Sequence, residues 1–247
     1  MEVLYEKPKT LFKKSMPYCP GCGHGIVHRL ICEVIDELDI REKTIAIAPV
    51  GCSVCAYNHW DFDVSEAAHG RAAAVATGIK RVHPDKVVIS YQGDGDLASI
   101  GMAETIHAAN RGENFSVIFI NNANYGMTGG QMAPTTLLDQ VTTTTPAGRK
   151  AEDDGFPFAM AEMISQLKAV TYCVRTTTAD IKGIRQTKKA IKKAVNIQLN
   201  EGGYSFIEIL TNCNINWKMK PQEANNYILN TMTNVFPIGE FKNICKS

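Results

Sequence analysis

No stretch of this sequence is long and apolar enough to span a bilayer, and neither sign of charge prevails, with 26 Lys and Arg against 25 Asp and Glu. The first absence argues against a helical membrane span. The second removes the global field that draws a protein onto nucleic acid or anionic lipid, so neither is expected as a partner. The opening MEVLYEKPKTLFKKS has charges throughout and no apolar core, so it does not read as a signal peptide. Several site motifs are also missing. There is no G-x-x-x-x-G-K-[ST] phosphate loop, and the GDG segment lacks the G-x-G-x-x-G spacing of a dinucleotide fold. No H-x-E precedes P-C-x-x-C as in a nucleobase deaminase, and Gly23 separates Cys22 from His24, which excludes the C-x-x-C-H of a c-type haem.

Cysteine, by contrast, is plentiful, with 8 residues. In the reducing cytoplasm expected for this chain, paired cysteines more often bind metal or do redox work than form disulfides. The 247 residues, 45% apolar and 21% charged, suit one globular domain. It would carry a cysteine-bearing segment at its N-terminus and an extension at its C-terminus.

Apolar residues at three- and four-residue steps predict a helix over Gly25 to Leu38. Short apolar runs predict buried strands over Thr44 to Val50, Val87 to Tyr91, Ser116 to Asn121, Ala169 to Val174 and Tyr204 to Leu210. Helices over Ala67 to Val82, Ala98 to Asn110, Phe156 to Leu167 and Ala179 to Leu199 alternate with them. This is the pattern of a parallel α/β sheet flanked by helices. In the last helix Ile181, Ile184, Ile191 and Val195 form the expected buried stripe. Lys188, Lys189, Lys192 and Lys193 read as its solvated face rather than as a docking patch. Tyr57 to Asp63 reads as a loop in which Trp60 and Phe62 could meet a partner chain.

The richest stretch runs from Gly93 to Gln131: strand, GDG, helix, strand, Asn-Asn, glycine-rich loop. Both strands feed the same sheet edge, so Asp94 and Asn122 should stand side by side where open α/β sheets bind ligands. A carboxylate, an amide oxygen and a backbone carbonyl are hard oxygen ligands for Mg²⁺, which diphosphate oxygens would complete. The backbone from Tyr125 through Gly126 to Gly130 can offer N–H groups to that diphosphate. Either half alone is an ordinary turn; the pair in this order is not.

GDG, then 25 residues, then Asn121-Asn122 resembles the thiamine-diphosphate signature. YGMTGGQ is similar to the version found in 2-oxoacid:ferredoxin oxidoreductases, and the likeness runs from YCPGCGHG through GCS and AHGRAAAVATGIK to Cys213. The resemblance places the chain with the beta subunits of that family, of the 2-oxoisovalerate or 2-oxoglutarate type. It implies a thiamine-diphosphate-binding fold, with Asp94 and Asn122 on Mg²⁺ through side chains and Asn124 through its carbonyl. Gly93, Gly95, Tyr125, Gly126 and Thr128 would lie near the diphosphate.

Cys19, Cys22, Cys52 and Cys213 should all lie at the sheet's carboxyl edge. Four thiolates hold either zinc or a [4Fe–4S] cluster, and spacing does not separate the two. Thiamine chemistry with no flavin or lipoyl motif in view calls for a nearby one-electron acceptor, and the resemblance implies a [4Fe–4S] cluster on those four. The flank CNIN at Cys213 departs from the family's usual C-P-T. Cys55 is assigned no role; Cys32, Cys173 and Cys245 read as packing or free thiols.

His69, Gly70 and Arg71 open a helix and form a candidate anion site for the cofactor. His24, His59 and His107 have no evident constellation. The expected reaction is oxidative decarboxylation of a 2-oxoacid to acyl-coenzyme A and CO₂, with electrons passing to ferredoxin. No residue of this chain can be assigned as the carboxylate that activates thiamine. The family places that group on another subunit, so an alpha-type partner, with or without gamma- and delta-type subunits, is expected. A branched-chain acid is favoured because no Arg or Lys but Arg71 is placed for a second carboxylate. The rival expectations are a non-oxidative thiamine-dependent decarboxylase or carboligase subunit and a non-catalytic α/β subunit stapled by zinc.

Overall fold

A computed structural model describes residues 6–244; Cys245 lies outside them. The elements in chain order are α1 (His24–Leu38), β1 (Thr44–Pro49), β2 (Asp63–Ala67), α2 (Ala72–Val82), β3 (Val87–Gly93), α3 (Met102–Arg111), β4 (Ser116–Asn121), α4 (Ala151–Asp154), α5 (Met160–Ser165), β5 (Val170–Thr177), α6 (Ile181–Asn200), β6 (Tyr204–Leu210), α7 (Pro221–Tyr227), α8 (Thr233–Val235) and β7 (Gly239–Asn243). The strands form one seven-stranded sheet in the order β2-β1-β3-β4-β6-β5-β7. All neighbours are parallel except β7, which runs antiparallel to β5.

Period-two alternation in the strands divides the core between the two sheet faces. Ile89, Ile118, Ile120, Ile207 and Ile209 pack with the apolar stripes of α1 and α6. Val88, Val117, Phe119 and Phe206 pack with α2, α3 and α5. The small residues Ala72, Ala73 and Ala76 bring α2 close to the sheet. At roughly 1.5–3 kcal/mol for each fully buried large aliphatic side chain, these layers are what hold the carboxyl edge of the sheet rigid.

Four expectations are corrected. The segment DVSEA, read as loop and helix start, is the edge strand β2, and α2 begins only at Ala72. With a single neighbouring strand it has no need of apolar residues on both faces, so its pattern hid it. Trp60 is buried beside Tyr91, His28 and Phe62, and so belongs to the core rather than to a docking loop. Ile181 is 70% exposed and leaves the α6 stripe to Ile191 and Val195 with partly buried Ile184. Lys188 and Lys192 are not simply solvated: they clamp α6 to Glu33 and Glu37 of α1, and Lys193 reaches Glu240.

The long segment between β4 and α5 is held by one buried cation. Arg149 donates to the carbonyls of Pro134 (2.9 Å), Thr136 (2.6 Å), Gly155 (2.9 Å) and Phe156 (2.9 Å), and so ties two stretches of loop together without a carboxylate.

Candidate cofactor and thiol site

The ends of β1, β3 and β4 open onto a pocket of about 460 Å³ lined by His24, Val50 to Ser53, His69, Gly93 to Asp96, Asn122, Asn124 to Thr128 and Gln131. Asp94 follows β3 and is 2% exposed. Its Oδ1 accepts from the Gly95 N–H (2.9 Å) and its Oδ2 from the Thr135 hydroxyl (2.7 Å). Burial nevertheless pushes its pKa up to about 7, against which these hydrogen bonds work only partly. Among the described residues the carboxylate therefore lacks a cation.

The side-chain oxygens of Asn122 and Asn124 are buried in the same wall and accept no hydrogen bond from the described residues. Orphaned buried acceptors are costly and need an explanation. One carboxylate and two unfilled amide oxygens facing one pocket fit a hard divalent cation. They are aimed by the other asparagine of the pair. Asn121 donates to Glu208 (2.7 Å) while its own oxygen accepts from the Ala123 N–H (3.2 Å). Ala123 takes φ +56°, and this turn sends Asn122 and Asn124 into the pocket.

Beyond them, residues 125–131 close on themselves through Tyr125 N–H to the Gln131 carbonyl (3.0 Å) and Gly130 N–H to the Tyr125 carbonyl (2.8 Å). The Thr128 hydroxyl is 2.6 Å from Gln131 Oε1. Gly95 is obligatory here, because a Cβ would stand 2.3 Å from the Tyr125 ring.

His69 lines the pocket, and its Nδ1 lies 2.8 Å from Asp96 Oδ1. Asp96 also accepts from the Gly70 N–H (2.6 Å) and Gln92 (2.6 Å), while burial raises its pKa. Arg71 is a correction: its guanidinium is engaged by Glu104 and does not line the pocket. A carboxylate one helix away competes successfully for it.

A second cavity, of about 150 Å³, adjoins the first. Cys19, Cys22, Cys52 and Cys213 all line it, and so does Cys55. Gly126 passes between two of the sulfurs, such that a Cβ there would meet Cys52 Sγ at 3.3 Å and Cys213 Sγ at 3.6 Å. Asn216 Nδ2 donates to Cys213 Sγ (3.2 Å) and to the Gly126 carbonyl (2.8 Å). Burial, reinforced by the neighbouring sulfurs, pushes the thiol of Cys22 up to about 11 and that of Cys52 up to about 12. Such a group of thiolates is stable only around positive charge. Among the described residues no three His, Cys, Asp or Glu side chains gather closely enough to hold a single metal ion. Four thiols lining one cavity are a ligand set that either zinc or an iron–sulfur cluster takes. Cys32 and Cys173 are fully buried elsewhere, bonded to the carbonyls of Thr10 (3.4 Å) and Ala161 (3.3 Å).

His24, read from the sequence as ordinary, stands on the wall shared by both cavities. Its Nδ1 is 2.5 Å from the Tyr91 hydroxyl, its ring stacks on Tyr18, and burial lowers its pKa to about 4. Only its place just after CPGCG, at a helix start, hinted at this. Asp96 and Gln131 lie within GDGD and YGMTGGQ, whose pattern gives neither a role, and Thr135 carries no sequence signal at all. His59 bridges the carbonyls of Cys55 (3.0 Å) and Ser15 (3.0 Å), and so pins the N-terminal segment.

Residues 49–209 match the family model described as thiamine pyrophosphate enzyme, C-terminal TPP binding domain. The ketoisovalerate oxidoreductase subunit VorA of Methanothermobacter thermautotrophicus is 51% identical over 225 residues, covering 91% of this chain and 47% of the relative. The chain thus spans about half the length of that relative. The 2-oxoglutarate synthase subunit KorB of Methanocaldococcus jannaschii is 41% identical over 199 residues, covering 79% of this chain and 68% of the relative. A solved 2-oxoglutarate:ferredoxin oxidoreductase from Magnetococcus marinus superposes with a TM-score of 0.77 over 100% of this chain and 88% of that one. At 24% identity it is a likeness of fold alone. Joined to the paired cavities at the sheet edge, these matches show that the chain belongs to the thiamine pyrophosphate enzymes, as a beta subunit of the 2-oxoacid:ferredoxin oxidoreductase family.

Proposed function

We propose that this chain is the cofactor-holding subunit of an enzyme that oxidatively decarboxylates a 2-oxoacid to acyl-coenzyme A and CO₂ and delivers the electrons to ferredoxin. The observation that carries this reading is the common wall between a pocket with unfilled oxygen ligands and a cavity ringed by thiols, formed by His24, Cys52, Asn122, Gly126 and Met127. Asp94, Asn122 and Asn124 would hold Mg²⁺, with Gly93, Gly95, His69 and the Tyr125–Thr128 loop around the diphosphate. Cys19, Cys22, Cys52 and Cys213 would hold a [4Fe–4S] cluster. When bound, thiamine diphosphate supplies the electron sink for decarboxylation, and the cluster a one-electron acceptor. The chain's own contribution is to fix both groups in adjoining cavities.

Thiamine activation needs a carboxylate against the aminopyrimidine. Of the two acids lining the pocket, Asp94 faces the cation site and Asp96 is occupied by His69, Gln92 and Gly70. The activating group therefore comes from an alpha-type partner, in a hetero-oligomer. The substrate is of the 2-oxoisovalerate type: Val50 and Met127 line the pocket, and among the described residues no Lys or Arg does. VorA is named for ketoisovalerate. The KorB relative makes 2-oxoglutarate the second reading, for which a cation would have to come from the partner. The enzyme would work in the cytoplasm; among the described residues no helix is long and apolar enough to cross a membrane.

The test is coenzyme-A-dependent reduction of a viologen dye by the anaerobically purified chain, with and without its co-expressed partner. Turnover of 2-oxoisovalerate only in the complex, with visible absorption that bleaches on reduction, is expected. Thiamine without iron would favour a non-oxidative enzyme, and zinc without thiamine a structural subunit.

A further inference from the structure

His24 stands on the common wall with its hydrogen-bonding capacity only half used. Its Nδ1 meets the Tyr91 hydroxyl, and Nε2 makes no hydrogen bond to the described residues. Tyr91 lies in β3, is fully buried, and has no hydrogen-bond partner among the described side chains but His24. Burial drives its pKa well up, so it remains a phenol. A buried phenol with one partner places its proton on that partner, because the reverse arrangement would leave the O–H without an acceptor. Nδ1 is therefore the acceptor, and the neutral ring carries its hydrogen on Nε2.

The ring cannot turn away from this assignment. Tyr18 stacks flat on it with centroids 4.8 Å apart, and Tyr18 is itself fixed by donating to the Cys52 carbonyl (3.0 Å) and by its bond to His28 Nε2 (2.9 Å). Tyr91 closes the other contact edge-on at 5.7 Å. The result is a rigid, uncharged N–H donor with no acceptor among the described residues. His24 lines the same pocket as Asp94, Asn122 and Asn124, together with Val50, Gly51, Cys52 and Ser53.

We infer that His24 is a catalytic residue whose Nε2–H donates to the 2-oxo oxygen of the substrate, with Tyr91 fixing the tautomer. The inference rests on the function proposed above. As the carbonyl carbon is attacked, its π electrons move onto that oxygen; no proton need transfer, because a preoriented N–H stabilises the growing negative charge where it forms. A neutral donor suits this role, since it adds no positive charge to compete with the cation for the diphosphate.

The experiment uses the complete complex, loaded with thiamine diphosphate, Mg²⁺ and iron. In His24→Leu, kcat with 2-oxoisovalerate should fall about 100-fold, the scale for losing one such donor. KM should change little, and so should the midpoint potential and electron paramagnetic resonance spectrum of the cluster and the affinity for thiamine diphosphate. His24→Gln retains an N–H and should recover at least part of the rate. Tyr91→Phe, which removes only the hydroxyl, should lower kcat about 10-fold with no loss of iron or cofactor. An unchanged kcat in His24→Leu overturns the inference. So does a shifted cluster potential, which would mean that the imidazole serves a sulfur instead. A wild-type complex that turns over no 2-oxoacid removes the proposed function and this inference with it, a result distinct from an active wild type with equally active variants.

Discussion

Two buried polar clusters lie at the same end of the sheet, on either side of Asn121, and they differ in whether their charges balance. On one side Glu208 is fully buried but receives Arg175 (3.0 Å), Asn121 (2.7 Å) and the Ala161 N–H (3.1 Å), and Arg175 is shared with Glu162. On the other side, among the described residues, Asp94 has no cation, and the amide oxygens of Asn122 and Asn124 have no donor. Equal burial thus has two meanings. The first cluster is complete within the chain and serves the fold, and the second is completed only by a ligand. A perturbed carboxylate marks a functional site when its surroundings leave it short of positive charge.

Removing the carboxylate on the open side tests the difference most severely. Asp94→Ala should abolish Mg²⁺-dependent binding of thiamine diphosphate while circular dichroism keeps the native fold; unchanged affinity in calorimetric titration would refute the cation site. On the closed side the effects reverse. Arg175→Met leaves Glu208 buried without its cation and should destabilise the chain by about 3–5 kcal/mol, measured by urea unfolding, with cofactor affinity per folded molecule preserved.

The pH dependence should separate the clusters further. Asp94 has its pKa raised from 3.8 to about 7, so the folded chain holds that proton more tightly than the unfolded chain does. Its contribution to stability is therefore present below about pH 4 and is lost as the pH rises through about 7. In metal-free protein, Asp94→Asn should match wild type near pH 4 and exceed it near pH 8, by roughly 1.4 kcal/mol for every tenfold by which folding tightens the proton. Mg²⁺ affinity of the wild type should strengthen over the same interval, and a flat profile would mean the carboxylate already has a counter-charge.

Among the thiols, Cys52→Ser should lose iron and electron transfer together, whereas Cys32→Ser should keep both; iron content by colorimetric assay decides. Smaller still is Thr135→Val, which deletes one hydrogen bond to Asp94 and should weaken Mg²⁺ binding by about 1.5–3 kcal/mol at most. The smallest effect belongs to the surface. Lys192→Ala breaks a half-exposed pair with Glu37 and should cost less than about 1 kcal/mol, with no effect on either cavity.

The sequence by itself determined the elements whose signal is local. Strands Ser116–Asn121 and Tyr204–Leu210 were readable to the residue because buried parallel strands are continuous apolar runs. The GDG and Asn-Asn turns were readable because strand ends and glycines punctuate them, and their order around one helix places both at one edge. Tertiary structure alone decided what depends on residues far apart in the chain. Strands β2 and β7 carry no strong apolar pattern, since an edge strand needs only one partner. Arg71 looked available until Glu104, 33 residues on, claimed it. Thr135 reaches Asp94 across 41 residues, and His24 meets Tyr91 across 67. Periodicity reports the face a side chain must bury. It cannot report which distant donor will fill an acceptor, and the chemistry of this site resides in the acceptors and donors the fold left unfilled.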